Sequence, residues 1–224
     1  MDSHEHILWA MREMERLGHN RGASGNCSLR LADAQDQMLI TPSGVPAQQL
    51  QADMLVAMQL HGSDSIASLG TALGRHQSTL KPSSEWRFHR DIYLQWPEIH
   101  AVVHAHSPFA TTMACLGQDI PAFHYMIAVA GGDSIRCTPY ALFGSQALSD
   151  VAITALQDRK ACLLGQHGMI ATGKTMSDAM RIAIEVESLC EIYWRALQIR
   201  SPMLLNDQEM QQVIEKFKTY GPTT

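Results

Sequence analysis

His104-Ala105-His106 sets two imidazoles two residues apart, and extended backbone, with its period of two, aims both side chains to the same side. One cation can then accept a nitrogen from each. Zinc takes about four ligands near tetrahedral geometry, so the pair needs a further imidazole or a carboxylate from elsewhere in the chain. His167, in the turn Gln166-His167-Gly168, and Glu85, at the start of an expected helix, are placed to supply them. A His-x-His pair carries little weight alone, because a chain with 11 histidines produces such pairs by chance. Its occurrence together with Ser83-Ser84-Glu85 gives it weight. Cysteine does not compete for the metal. Cys27, Cys115, Cys137, Cys162 and Cys190 are odd in number, widely spaced and lack C-x-x-C spacing, so reduced, packed thiols are expected.

A small anion needs no basic patch, since glycine-rich turns, hydroxyls and the N–H groups at a helix start suffice. Three places offer them: Ser24-Gly25-Asn26, Thr41-Pro42-Ser43-Gly44 and Ser83-Ser84. Taken singly, each is also an ordinary turn or cap.

These residues must be positioned by the elements between them. Ile7, Leu8, Met11, Met14 and Leu17 fall mostly on one helical face, and Gly18, Asn20 and Gly22 end that helix. Short strands are predicted over 27–31 and 38–41, a further strand over 53–60, and a long loop over 61–80. A helix over 84–96 has a serine as its cap, Glu85 at its positive end and Pro97 as its stop. Residues 99–104 read as a buried strand, followed by Ser107 as cap and Pro108 as first residue of the next helix. A helix over 145–157, strands over 161–164 and 169–172 joined by the turn 165–168, and a long helix over 177–199 follow. Asn206 with Glu209 forms a capping box for a last helix to about Lys218. Central strands with helices before, between and after them give a layered α/β fold.

A chain of 224 residues can build one substantial core, and one domain over 1–224 is expected. Seventeen Lys and Arg against 22 Asp and Glu leave a net charge of -5 with no basic cluster, which argues against a nucleic-acid partner. No apolar run approaches the roughly 20 residues of a membrane span, and the polar, acidic N-terminus is unlike a signal peptide, so a cytoplasmic location is expected.

The motifs resemble those of the class II aldolase/adducin superfamily nearly end to end. They include Ser24-Gly25-Asn26, Ile40-Thr41-Pro42-Ser43-Gly44, Pro82-Ser83-Ser84-Glu85-Trp86-Arg87-Phe88-His89 and Ala101-Val102-Val103-His104-Ala105-His106. Pro121 to Ala128, Gly131-Gly132, Pro139 to Gly144, Gln166-His167-Gly168 and Glu215 to Gly221 complete the likeness. It implies a single-domain fold with a central, mainly antiparallel sheet flanked by helices. It also implies a homotetramer with active sites at subunit interfaces, and one zinc per chain on His104, His106 and His167 with Glu85 beside it. The phosphate of a small phosphorylated sugar would lie around Asn26, Ser43, Gly44, Ser83 and Ser84. Glu85 would be the acid/base, Tyr125 would reach in from a neighbouring subunit, and Tyr220 would approach on the tail.

The activity so implied is cleavage of L-fuculose 1-phosphate or a similar ketose 1-phosphate. The alternatives are 5-deoxyribulose or methylthioribulose 1-phosphate as substrate, 4-epimerisation of a pentulose phosphate, and an adducin-like binding module. The epimerase pattern has Asp where this chain has Glu85, and a binding module should have lost its metal ligands, which this chain keeps. The chain departs from the aldolase pattern at Ala105, Ser43 and Gln166, where Asn, Thr and a second His are usual, and in a longer segment 61–80.

Overall fold

In the computed structural model of the chain, residues 2–62 and 79–217 are described. The first helix, α1 (Ser3–Arg16), opens on a capping box between Asp2 and Glu5 and buries Ile7, Ala10, Met11 and Met14 along one stripe. Among the described residues seven strands then form one sheet: β1 (Asn26–Leu31), β2 (Ala34–Ile40), β3 (Val56–Gln59), β4 (Ala101–Ala105), β5 (Arg136–Cys137), β6 (Ala161–Leu164) and β7 (Gly168–Gly173). Their order is β3-β2-β1-β4-β7-β6-β5, and every pair is antiparallel except β5 with β6.

Helices cover both faces, which is why the strands lack a polar side. Ala101, Val103 and Ala105 of β4 join the core under α1, α3 (Pro108–Leu116), α5 (Met176–Ile199) and α6 (Asp207–Phe217). Val102 points the other way, into a second core with Phe88, Ile92 and Tyr93 of α2 (Trp86–Gln95) and Leu148 and Ala152 of α4 (Gln146–Ala155). The same alternation divides Ala161 and Leu163 from Cys162 and Leu164 on β6. This is the layered α/β architecture that the pattern of elements implies, and its mainly antiparallel sheet flanked by helices is the one that the family resemblance implies.

Several local expectations are corrected. The strand foreseen over 53–60 is shorter, because Ala52–Met54 form a 3-10 turn and pairing begins at Val56. Ser84 does not cap α2: Glu85 holds the cap position, and its carboxylate is turned away to Asn26 and the histidines instead of to the helix N–H groups. Ser107 holds the cap position of α3, but its hydroxyl donates to Glu187 Oε2 at 2.6 Å instead of accepting from the helix. The 3-10 segment Tyr125–Ala130 and the two-residue strand β5 have no counterpart in the sequence reading. All five cysteines are free, but Cys115 is exposed. Residues 63–78 of the expected long loop lie outside the described residues.

Candidate metal centre

Strand register brings the metal candidates together. Asn26 of β1 sits opposite His104 of β4, and His104 in turn sits opposite Ile170 of β7. The His104 ring lies on the α2 side of the sheet, edge-on to Phe88 at 5.5 Å between centroids. His106 follows the end of β4, where its N–H donates to Asn20 Oδ1 at 2.9 Å. Asn20 is itself gripped by Gly25: a side chain there would collide with the Asn20 amide, and the φ of +72° suits glycine. His167 stands in the three-residue loop Gly165-Gln166-His167 between β6 and β7, with Gln166 left-handed at φ 51°.

The three rings form a near-regular triangle, with centroids 4.8 Å apart in each pair and planes at 72° to 76°. Their Nε2 atoms face inward. His104 Nε2 is 2.9 Å from His106 Nε2 and 3.2 Å from Glu85 Oε2, while His167 Nε2 is 3.2 Å from Glu85 Oε1. One ligand atom from each of the four residues lies within 4.8 Å of the others.

The donor set fits a metal on two observations. First, His104 Nδ1 is 2.8 Å from the Met169 carbonyl, which needs a proton on Nδ1 and leaves Nε2 of the neutral ring as a bare lone pair. A lone pair 2.9 Å from another imidazole nitrogen requires a proton or a cation to bind both. Second, Glu85 Oε1 is buried with no hydrogen-bond partner. The 3.2 Å approach of His167 Nε2 is misdirected for a hydrogen bond, so these atoms converge on a shared point.

Electrostatics agree. Burial opposes charge on Glu85, but attraction to His104 and His167 and the hydrogen bond from the Asn26 amide hold its carboxyl well below the usual range. Burial also opposes charge on His104, yet the Glu85 carboxylate and the Met169 carbonyl raise it. Burial and the neighbouring rings push His106 and His167 down to about 4, so both present neutral nitrogens near pH 7.

A cavity of about 400 Å³ opens over this cluster. Asn26, Ser43, Gly44, Ser83 and Ser84 line it together with Glu85, His106 and His167. The turn holding Ser43 and the segment holding Ser83 are tied by the Pro42–Pro82 bridge, with Ser43 N–H to the Lys81 carbonyl at 3.0 Å and Ser83 N–H to the Thr41 carbonyl at 2.9 Å. Tyr125 is not brought to this cavity: it is 53% exposed and borders a separate hollow with Glu209 and Val213 of α6. Tyr220 lies outside the described residues. Asn20, His89 and Glu187 also support the site, although their sequence pattern did not single them out. For His89 a signal existed, since it stands four residues after Glu85 at the head of a helix.

With this geometry in view, residues 5–194 match the Class II Aldolase and Adducin N-terminal domain family. The chain belongs to the class II aldolase and adducin family. Among its relatives is a 5-methylthioribulose-1-phosphate/5-deoxyribulose-1-phosphate aldolase of Rhodospirillum rubrum, 50% identical over 96% of this chain and 90% of the relative. The L-fuculose phosphate aldolase of Escherichia coli K12 is 45% identical over 96% of this chain and 94% of its own length. A solved L-fuculose 1-phosphate aldolase superposes with a TM-score of 0.87 at 33% identity, over 97% of this chain and 96% of that one. The resemblance read from the motifs therefore holds for both family and fold.

Proposed function

We propose that this member of the class II aldolase and adducin family is a zinc-dependent aldolase that reversibly cleaves a ketose 1-phosphate to dihydroxyacetone phosphate and an aldehyde. The observation that carries the reading is one buried carboxylate, Glu85, with a free oxygen beside three converging imidazoles in the cavity that the serine and glycine turns line. His104, His106 and His167 would hold the metal, with Glu85 beside it. Zinc bound there supplies Lewis-acid stabilisation of the negative charge that carbon–carbon cleavage leaves on the ketone half.

The protein's own groups do the rest. The hydroxyls of Ser43, Ser83 and Ser84 and the N–H groups of Gly44 and Ser84, with Asn26 at the cavity edge, bind the phosphate and orient the carbon chain. The proton that leaves the aldehyde-side hydroxyl as the bond breaks is balanced by one that Glu85, ionised at rest, takes up from solvent and delivers to the carbon left behind, while the bond's electron pair passes toward the ketone oxygen. Being held ionised, Glu85 takes that proton in the synthetic direction. Tyr125 of a neighbouring subunit exchanges the proton of the aldehyde oxygen.

On substrate, the motif likeness set L-fuculose 1-phosphate first. The 50% identity to the methylthioribulose/deoxyribulose-phosphate aldolase, against 45% to the fuculose-phosphate enzyme, moves the 5-substituted pentulose 1-phosphates ahead of it. Supplying purified, zinc-loaded protein with 5-methylthioribulose, 5-deoxyribulose and L-fuculose 1-phosphates, and following dihydroxyacetone phosphate, tests both parts. Release from at least one supports the aldolase, and the ranking of kcat/KM assigns the aldehyde. No release from any of them sinks the proposal.

A further inference from the structure

A buried file of polar side chains runs through the core behind Glu85. Tyr93 Oη is 2.8 Å from Ser28 Oγ, and Ser28 Oγ is 2.7 Å from His89 Nδ1. His89 Nε2 is 2.5 Å from Asn26 Oδ1, and Asn26 Nδ2 is 2.9 Å from Glu85 Oε2. Ser28 and His89 have no exposed surface, and Phe88 stacks on the His89 ring at 4.6 Å.

The sense of every link follows from the last. An ionised carboxylate only accepts, so the Asn26 amide nitrogen must donate to Glu85 and its oxygen must face His89. His89 Nε2 must then carry a proton. Burial and the nearby His104 push this imidazole down to about 3, so the ring is neutral and its Nδ1 is bare. Nδ1 accepts from the Ser28 hydroxyl, which leaves the Ser28 oxygen to accept from Tyr93. Turning the Asn26 amide over would set its oxygen against Glu85 and, with the His89 tautomer unchanged, its NH₂ against the His89 N–H, two repulsions in place of two bonds.

We infer that His89 is a positioning residue for Glu85: through its Nε2–H it locks the orientation of the Asn26 amide, which pins Glu85 Oε2 and so fixes where the carboxylate stands beside the three imidazoles. This rests on the proton-transfer role proposed for Glu85. An apolar residue of similar size would fill the space between α2 and β1, so packing alone gives no reason for a fully buried imidazole bonded at both nitrogens.

The test uses the zinc-loaded protein and its best substrate. His89→Leu keeps the volume and removes the donor, and His89→Gln returns an amide N–H near the position of Nε2. Expected for His89→Leu is a fall in kcat of about 10²-fold, as for a misplaced catalytic group, with metal content and KM unchanged. His89→Gln should recover most of it. Long-range ¹H–¹⁵N NMR of the unmutated protein should find His89 neutral and protonated on Nε2, a readout that needs no variant to fold. Normal kcat in His89→Leu, a raised KM with kcat kept, or an Nδ1–H or doubly protonated ring would overturn the inference. Normal kcat in Glu85→Gln is a different failure, which removes the proton-transfer reading and leaves the NMR result to decide the hydrogen-bond order alone.

Discussion

With His104 Nδ1 committed to the Met169 carbonyl, the inward nitrogens and Glu85 Oε1 meet as one set of donors suited to a cation. His104→Ala removes one of three nitrogen ligands and should abolish both metal retention and turnover, read as zinc per chain and kcat. Glu85→Gln keeps the size and removes the acid/base, so turnover should fall about 10²–10⁴-fold while zinc stays bound. Metal-free protein also carries a pH signature. His106 and His167 are held at about 4 and His89 at about 3, so the native state refuses protons that the unfolded chain binds near 6.5. That contribution is full above about pH 6.5 and is lost as pH falls through about 4 and then 3, and the lowered Glu85 acts in the same direction. His104, raised, acts oppositely: its contribution is present below about 6.5 and lost as pH rises. Three lowered rings and a carboxylate outweigh it, so the thermal midpoint of chelator-treated protein should drop between neutral pH and pH ~4. A flat or rising midpoint would contradict these assignments.

The elements that carry the site were readable where the pattern is local. Strands buried on both faces appear as short apolar runs, and Asn206 sits where a cap belongs, accepting from the Glu209 N–H of its own helix. What escaped was tertiary. Asn20 reads as a helix stop yet holds the His106 N–H, and Glu187 reads as one more charge on a long helix. Glu187 in fact crosses from α5 to cap α3, accepting from Ser107 Oγ and from the Phe109 and Ala110 N–H groups at 2.6, 2.8 and 2.8 Å. Nothing in local spacing encodes such a bond. Glu187→Ala strands those buried donors and should cost about 2–4 kcal/mol in denaturant unfolding. Gly25→Ala has both an unfavourable φ and a collision with Asn20, so it should loosen His106 and weaken zinc retention in competition with a chelator. Unchanged retention would separate Asn20 from the metal centre.

At the scale of the whole molecule, the chain holds the metal ligands and the phosphate turns in one cavity but carries Tyr125 elsewhere on its surface. Exposed apolar side chains, Leu142, Phe143, Ile199 and Met203, lie 59% to 86% open to solvent in the isolated chain. Both observations favour an oligomer with shared sites, which the family resemblance implies to be a homotetramer. If Tyr125 serves a neighbour, mixed oligomers of Tyr125→Phe and Glu85→Gln chains should regain activity that neither variant has alone, because some sites then receive both intact residues. No recovery in verified mixed oligomers would place Tyr125 outside the mechanism. Among the described residues no helix is long and apolar enough to cross a membrane. The most direct test of the central claim is metal analysis of purified protein beside His167→Ala, the ligand farthest in sequence from the paired histidines. The expected result is about one zinc per chain, lost in the variant along with aldol cleavage. Folded, active protein without a divalent metal, or a His167→Ala variant that keeps its zinc, would contradict the convergence of these three imidazoles on one ion.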